Sequence, residues 1–135
     1  MEMSIIKWGI IGLGNIALKF AQSFSEISNS KLLGIASIDS NKIELFKNQF
    51  KIQKEYCFKS YIDLIKNQDI DIVYLALPHN FHYQWIIECL KENKNILTEK
   101  PAVISSNNIN EIDKKHSQKN IFFAESFVYR YHPQT

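Results

Sequence analysis

The sequence predicts an α/β fold built on a doubly wound parallel sheet with strand order 3-2-1-4-5-6. Strand and helix patterns alternate along all 135 residues, which is typical of a parallel sheet with crossover helices. The strongest strand pattern, IDIVYLAL at residues 70–77, is apolar almost throughout, as expected of a strand covered on both faces. A glycine-containing turn follows the first strand pattern directly. Right-handed crossovers then give the predicted strand order.

Two strand–helix units are predicted in the first fifty residues. Residues 5–11 form an apolar strand, and residues 32–37 form the second strand. Each strand is followed by a helix whose apolar residues share one face. The first helix covers residues 15–24, and either Asp39 or Ser40 caps the second. The predicted apolar faces are Ile16, Phe20 and Phe24 in the first helix, and Ile43, Phe46 and Phe50 in the second.

The alternation continues to the end of the chain. A short strand at residues 56–58 and a short helix around residues 61–65 precede the strong strand at residues 70–77. A helix follows, and its apolar stripe is formed by Phe81, Trp85, Ile86, Cys89 and Leu90. The last predicted elements are a strand at 95–98, a helix at 106–118 and a strand at 121–124.

Composition and charge argue against several function classes. Hydrophobic residues make up 45% of the chain, charged residues 22%, and the formal net charge is +2. This composition is typical of a globular protein and argues against nucleic acid or a membrane surface as the main partner. No apolar run approaches the roughly 20 residues that span a bilayer, and no signal peptide is expected, so we expect a cytoplasmic protein. Cys57 and Cys89 lack metal-site spacing. We therefore predict no metal site and expect buried, reduced thiols.

The turn GLGNIA at residues 12–17 is the first motif that predicts chemistry. Gly12 allows a tight turn, Gly14 lets the backbone approach a pyrophosphate, and Ala17 lets the helix pack closely on the strand. The N–H groups and the positive dipole end of the helix then face the phosphates. Because a buried strand precedes the motif and a helix and second strand follow it, the motif predicts a dinucleotide-binding turn. A tight turn without a ligand is the alternative.

The end of the second strand is where such folds bind the adenosine ribose. An acidic residue there favours NAD, and a positive residue favours NADP. Ser37 lies at the tip. Its hydroxyl leaves room for a 2′-phosphate and could bind it, so this position slightly favours NADP. Asp39 fits two roles equally well, as a ribose ligand or as the cap of the next helix.

Two more loops follow strands four and five, where ligands bind in such sheets. In the first of these loops, His82 either touches substrate or ribose, or is a polar residue of the first helical turn. The fifth strand runs into Glu99 and Lys100, a charged pair that is costly to bury unless it has a function or a partner. A lysine here could polarise a substrate hydroxyl for hydride loss. A Glu–Lys pair that fixes the turn before Pro101 is the alternative.

Three segments together resemble the glucose–fructose oxidoreductase, inositol dehydrogenase and rhizopine-catabolism family (Gfo/Idh/MocA). The segments are WGIIGLGNIA, LALPHNFHYQWIIECLKENKNILTEKPAVIS and FFAESFVYRYHPQT, in the family's order and spacing. The YRYHPQ run is similar to that of the branch containing aldose and trans-dihydrodiol dehydrogenases. The resemblance implies a Rossmann fold and an oxidoreductase that transfers hydride between NAD or NADP and a secondary alcohol. The implied substrate is a small sugar, polyol or related molecule.

The resemblance also implies roles for particular residues. Lys100 of the EKP motif would lie at the nicotinamide and the substrate as the catalytic-site lysine. Arg130 and His132 would lie near the substrate. Ile38 stands where NADP-using members often carry arginine. The predicted cofactor-binding set is Gly12, Gly14, Asn15, Ile16, Ser37, Leu77, Pro78, Asn80, His82, Glu99 and Lys100.

Members of the family have a second α/β domain beyond the point that corresponds to residue 135. We therefore expect residues 1–124 to form the NAD(P)-binding domain and residues 125–135 to begin the connection to a substrate domain. Full-length relatives are expected to be homo-oligomers, because the second domain carries the oligomer interface. Without that domain's substrate groups, the 135 residues alone are expected to lack turnover. The competing interpretation is a stand-alone nucleotide-binding module or a truncated remnant without catalysis.

Overall fold

The chain forms a parallel sheet of six strands with helices packed against it. The computed structural model describes residues 4–78, 81–99, 110, 114 and 123–126. The strands are β1 (Ile6–Ile11), β2 (Ser30–Ala36), β3 (Cys57–Phe58), β4 (Ile72–Leu75), β5 (Asn95–Glu99) and β6 (Phe123–Ser126). The helices are α1 (Asn15–Gln22), α2 (Ser40–Phe50), α3 (Tyr61–Lys66) and α4 (His82–Lys91). The strand order is β3-β2-β1-β4-β5-β6, all parallel, which confirms the predicted topology.

Both faces of the central strands are buried, and neighbouring side chains alternate between two cores. Ile10 packs with residues of α1 and α2, whereas Ile11 packs with residues of α3 and α4. The core on the α1 face consists of Ile10, Leu13, Ala17, Ala21, Ile35, Ile43, Phe46, Ile52 and Tyr74. The core on the opposite face consists of Ile11, Leu33, Ala36, Leu64, Ile65, Ile70, Val73, Leu75, Ile86, Cys89, Leu90 and Ile96.

The fourth strand is shorter than predicted. The sequence predicted a strand over residues 70–77, whereas β1 and β5 both pair with Ile72–Leu75. Ile70 precedes the strand, yet it is 1% exposed. Two of its methyl groups lie 3.2 Å from the position that a Cβ on Gly9 would occupy. One of them lies 2.9 Å from the position of a Cβ on Gly34. Ile70 is thus a core residue that packs against β1 and β2 from outside the strand. Its apolar side chain made the predicted strand longer than the observed one.

The last strand was expected at residues 121–124 and is described at Phe123–Ser126, while residues 121 and 122 lie outside the described residues. Its register with β5 joins Ile96 to Phe123 and Glu99 to Ser126. At the end of the strand, Glu125 pairs with Thr98 of β5 and Ser126 pairs with Glu99. Of the predicted helix at 106–118, Asn110 and Lys114 are helical and the others lie outside the described residues.

The apolar face of α1 also differs from the prediction. Ile16 is 50% exposed, while Ala17 and Ala21 are buried against the sheet. These two small side chains belong to the same core as Ile10 of β1 and Tyr74 of β4, which agrees with the packing role expected of Ala17. Phe20 lies beside this contact and stacks on Tyr74 of β4, with ring centroids 3.9 Å apart.

The two cysteines are free thiols. Cys89 is buried as expected, and burial raises the pKa of its thiol. Cys57 on the edge strand β3 is only half-buried, contrary to the prediction, because no further strand covers that edge among the described residues. Its Sγ donates to the Gln53 carbonyl at 3.6 Å, and burial raises its pKa as well. Raised pKa values leave both thiols poor nucleophiles.

Lys94 is a buried lysine immediately before β5, at the amino edge of the sheet. Its ammonium donates hydrogen bonds to the carbonyl oxygens of Asn67 and Ile70, each at 2.5 Å. Burial lowers the pKa of this ammonium, and the Asp71 carboxylate opposes the shift. Lys94 therefore ties the connection between α3 and β4 to the start of β5.

Replacing Lys94 by methionine should destabilise the protein by about 3 kcal/mol, because the apolar side chain removes the ammonium donor from the buried Ile70 carbonyl and leaves the part-buried Asn67 carbonyl with only the long hydrogen bond from Ile70 N–H. Chemical denaturation measures this free energy of unfolding. Lys91→Met is the matched control, since Lys91 is exposed and forms a surface ion pair with Glu88 at 3.4 Å. The control should change the free energy by less than about 0.5 kcal/mol. Equal losses in the two variants would contradict the role of Lys94.

Candidate cofactor site

The turn between β1 and α1 requires glycine at position 12. Gly12 has a φ of +91°, a left-handed conformation that disfavours other residues. A Cβ placed there would lie 2.8 Å from the Ala76 carbonyl oxygen and 2.8 Å from a methyl group of Leu77. The turn is thus in contact with the end of β4. Its position is also fixed from the other side, because Gly12 N–H donates to the Ala36 carbonyl at 3.0 Å.

Gly14 leaves the beginning of α1 open. It occupies the N-cap position in an extended conformation, and a Cβ built on it meets nothing within 4 Å. Among the described residues, no side chain caps α1, and its first turn contains no acidic residue. The following residues Asn15 and Ile16 are exposed. The free N–H groups and the positive end of the helix dipole therefore face solvent at this edge, which is the arrangement that binds phosphate groups.

The turn between β2 and α2 is held by its own side chains. Asp39 Oδ1 accepts hydrogen bonds from the N–H groups of Asn41 at 2.9 Å and Lys42 at 3.4 Å, so Asp39 caps α2. Of the two roles that the sequence left open for Asp39, the structure supports the helix cap. Ser37 is 4% exposed, and its Oγ accepts the N–H of Asp39 at 3.0 Å. Ile38 lies between these two residues in the chain and is 82% exposed to solvent.

His82 is the first residue of α4, and its ring is completely buried. Its Nε2 lies 2.7 Å from the carbonyl oxygen of Leu77. Because a carbonyl only accepts, Nε2 carries the proton and donates it. Of the two interpretations of His82, this geometry supports the polar residue of the first helical turn.

An apolar cavity of about 430 Å³ opens between the β2–α2 turn and the starts of α3 and α4. No sequence pattern indicates this cavity. Tyr61 and Trp85 form part of its wall in edge-to-face contact, with ring centroids 5.0 Å apart. Phe81 was assigned to the buried stripe of α4, but it precedes the helix and is 46% exposed, so its ring borders the cavity instead. The lining residues are Ile38, Tyr61, Leu77, Pro78, Phe81, Gln84 and Trp85.

The predicted site residues that the structure describes lie at one edge of the sheet. Because all six strands are parallel, Gly12, Ser37, Leu77 and Glu99 all follow or end strands at the carboxyl edge. Glu99 is the last residue of β5 and pairs with Ser126. The remaining predicted residues lie outside the described residues. They are Asn80, Lys100, Arg130 and His132.

The described residues contain neither a metal site nor a membrane-spanning helix. No group of three or more His, Cys, Asp or Glu side chains is arranged to hold a metal ion in that part of the chain. None of its helices is long and apolar enough to span a membrane.

Comparison with known proteins gives one family match. Residues 6–126 match the model of the Gfo/Idh/MocA oxidoreductase family, described as an NAD-binding Rossmann fold. Trans-1,2-dihydrobenzene-1,2-diol dehydrogenase from Xenopus tropicalis is 33% identical over 129 residues. The match covers 94% of this chain and 38% of that relative. The chain thus spans less than two fifths of the length of this relative.

Solved structures show the same similarity. Apo scyllo-inositol dehydrogenase from Lactobacillus casei superposes with a TM-score of 0.90 at 27% identity, covering 98% of this chain and 39% of that one. The same enzyme with bound NAD(H) and scyllo-inositol gives a TM-score of 0.88 at 26% identity, covering 96% and 38%. KijD10, a 3-ketoreductase from Actinomadura kijaniata in complex with NADP and TDP-benzene, also gives 0.88 at 26% identity, covering 97% and 40%.

Proposed function

The chain belongs to the Gfo/Idh/MocA oxidoreductase family, and from this premise we propose that it is the NAD(P)-binding part of a dehydrogenase for a sugar, a polyol or a related secondary alcohol. The observation that carries the proposal is the glycine turn. Gly12 has no room for a side chain, while Gly14 leaves the first N–H groups of α1 open at the carboxyl edge. The diol and inositol dehydrogenases among the similar proteins support this substrate class.

The described residues offer a place for each part of the adenosine half of the cofactor. The pyrophosphate would bind the N–H groups at the start of α1, next to Gly14, Asn15 and Ile16. The adenine ring would enter the apolar cavity, where Tyr61 and Trp85 provide aromatic surface. The ribose would then lie by Ser37 at the end of β2. Leu77 and Pro78 would separate the cavity from the glycine turn.

The nicotinamide half would meet the residues that follow β4 and β5. When bound, the nicotinamide supplies the hydride acceptor or donor. Asn80 and Glu99 would line the groove beside it. Lys100 would orient or polarise the reacting oxygen of the alcohol, and Arg130 and His132 would contact the substrate.

We further propose a division of the chain at residue 124. Residues 1–124 would bind the cofactor, and residues 125–135 would begin the connection to a substrate domain. The greater length of the relatives supports this division, since the match covers 38% of the diol dehydrogenase. Turnover would then need substrate-binding groups from such a domain, and the 135 residues alone would bind cofactor without completing a reaction.

The β2–α2 turn favours NADP over NAD as the cofactor. Asp39 directs its Oδ1 to the N–H groups of α2, and Ser37 occupies the strand tip where a carboxylate would bind both ribose hydroxyls. The hydroxyl of Ser37 accepts the Asp39 N–H, and its own O–H would be the donor to a 2′-phosphate oxygen. The similar structures include one with NADP and one with NAD(H).

Replacing Ile38 by arginine should raise the affinity for NADPH relative to NADH by about ten-fold, because a guanidinium beside the ribose forms charge-assisted hydrogen bonds to a 2′-phosphate. Ile38 is 82% exposed, so the longer side chain causes no clash. Calorimetric titration of both cofactors measures the ratio. Ile38→Gln is the control for size without charge. An unchanged ratio in the arginine variant would mean that the ribose lies elsewhere.

The proposed activity is tested with the purified natural gene product. It is assayed on a panel of sugars, polyols and cyclic diols with NAD and with NADP, while calorimetry measures cofactor binding. We expect binding of a dinucleotide and oxidation of at least one alcohol in the panel. Binding without any turnover would favour the stand-alone nucleotide-binding module. Failure of both cofactors to bind a folded protein would contradict the proposed function.

A further inference from the structure

We propose that His82 is a positioning residue for the cofactor. Its imidazole holds the Leu77 carbonyl and so fixes the wall between the glycine turn and the apolar cavity. This inference rests on the proposed function, because that wall matters to a dinucleotide lying across it. It assigns to His82 an indirect role, in place of direct contact with ribose or substrate.

The contact is short, and the histidine that makes it is fully buried. The ring of His82 is 0% exposed, and Nε2 donates to the Leu77 carbonyl oxygen at 2.7 Å. The bond joins the first residue of α4 to a residue five positions earlier, so it closes the connection that follows β4. Inside this closed segment, Phe81 N–H donates to the Pro78 carbonyl at 3.0 Å. The His82–Leu77 bond thus lies directly outside the bond between Phe81 and Pro78.

Leu77 is the residue through which His82 would act on both halves of the site. A methyl group of Leu77 lies against the glycine turn, 2.8 Å from where a Cβ on Gly12 would be. Leu77 and its neighbour Pro78 also line the apolar cavity. On the strand side, Ala76 N–H donates to the Ile11 carbonyl at 2.8 Å, so the chain is anchored just before Leu77. A movement of the Leu77 peptide would therefore displace the wall for the pyrophosphate and for the adenine together.

A leucine in place of the histidine would separate packing from hydrogen bonding. Its side chain fills much of the buried volume but has no donor for the Leu77 carbonyl. A part-buried carbonyl without a partner gains free energy by turning to water. Here such a turn rotates the Leu77 peptide, so the wall of the cofactor site would open even though the protein remains folded.

Three substitutions distinguish the two ring nitrogens. The amide nitrogen of glutamine reaches about as far as Nε2, whereas that of asparagine reaches only as far as Nδ1. We measure the Kd for NADPH and NADH by the fluorescence of Trp85, which lines the cavity, well below the melting temperature of each variant. The Kd of His82→Gln should lie within about three-fold of the wild-type value. The Kd values of His82→Asn and His82→Leu should be about ten-fold higher than the wild-type value. A merely structural histidine would lower the melting temperature and leave Kd unchanged.

Two outcomes with folded variants overturn the inference. One is a wild-type Kd for His82→Leu, and the other is a His82→Gln variant that binds as weakly as His82→Leu. Both leave the proposed function intact, since the wild type still binds. A wild type that binds neither cofactor removes the proposed function, and the inference falls with it.

A measurement on the wild-type chain covers the case in which the variants do not fold. With 15N-labelled histidine, the Nε2–H proton of His82 should exchange slowly and its resonance should shift when NADPH is added. A resonance that does not move at saturating NADPH overturns the inference.

Discussion

Gly12→Ala should destabilise the protein by about 4 kcal/mol, the largest loss that we expect from a single methyl group. Two physical causes add up. The φ of +91° is unfavourable for any residue with a Cβ. The new methyl group would also lie 2.8 Å from the Ala76 carbonyl oxygen, and backbone cannot give way as a flexible side chain does. Since domains of this size have total stabilities of about 5–15 kcal/mol, a large share of the folding free energy is lost.

Urea denaturation of wild type and variant measures this difference. Gly14→Ala is the matched control, because a Cβ on Gly14 meets nothing within 4 Å and its φ of −95° suits alanine. The control should lose no more than about 1 kcal/mol, the N-cap preference of glycine over alanine. If Gly12→Ala is as stable as Gly14→Ala, the contact between the glycine turn and the end of β4 is wrong.

Gly14→Asp should weaken dinucleotide binding about 100-fold or more while leaving the fold as stable as before. Aspartate is a preferred N-cap residue, and the extended backbone of Gly14 suits it. Its carboxylate would accept hydrogen bonds from the N–H groups of Ile16 and Ala17, which the pyrophosphate needs. Its negative charge would also repel the phosphates. One side chain would thus complete the helix and close the anion site.

Gly14→Asn separates these two effects. Asparagine caps the helix in the same way but carries no charge, so it should weaken binding by about ten-fold and keep the same stability. Calorimetry with NADPH and NADH gives the affinities, and thermal unfolding gives the stabilities. Wild-type affinity in the folded Gly14→Asp variant would mean that no phosphate binds at the start of α1.

The topology and the glycine turn were predictable from the sequence because local patterns determine them. Alternating elements with apolar strands predicted the strand order, and the order was confirmed. The spacing of Gly12, Gly14 and Ala17 predicted a tight turn followed by a helix with a small residue in the core, and the structure has a left-handed Gly12 and a buried Ala17. Three segments together, among them those with the glycine turn and the EKP motif, predicted the family whose model matches residues 6–126.

Other features depend on contacts between distant parts of the chain. Ile70 extends the apolar run of a strand in the sequence, but it packs against two glycines on neighbouring strands. Ile16 fits a helical stripe by spacing alone, although the sheet contacts the small alanines beside it. The apolar cavity forms where the starts of α3 and α4 meet the β2–α2 turn. No local sequence pattern predicts that three aromatic residues from different segments, Tyr61, Phe81 and Trp85, line the same cavity.

The central claim is that the carboxyl edge binds a dinucleotide with its pyrophosphate at the start of α1. Titration of the 15N-labelled chain with NADPH, followed by amide chemical shifts, tests it most directly. We expect the largest shifts at Gly14, Asn15 and Ile16, and no shift at Lys94 on the opposite edge of the sheet. A saturating titration that leaves the amides of these three residues unmoved, or that shifts mainly the amino edge, would contradict the account.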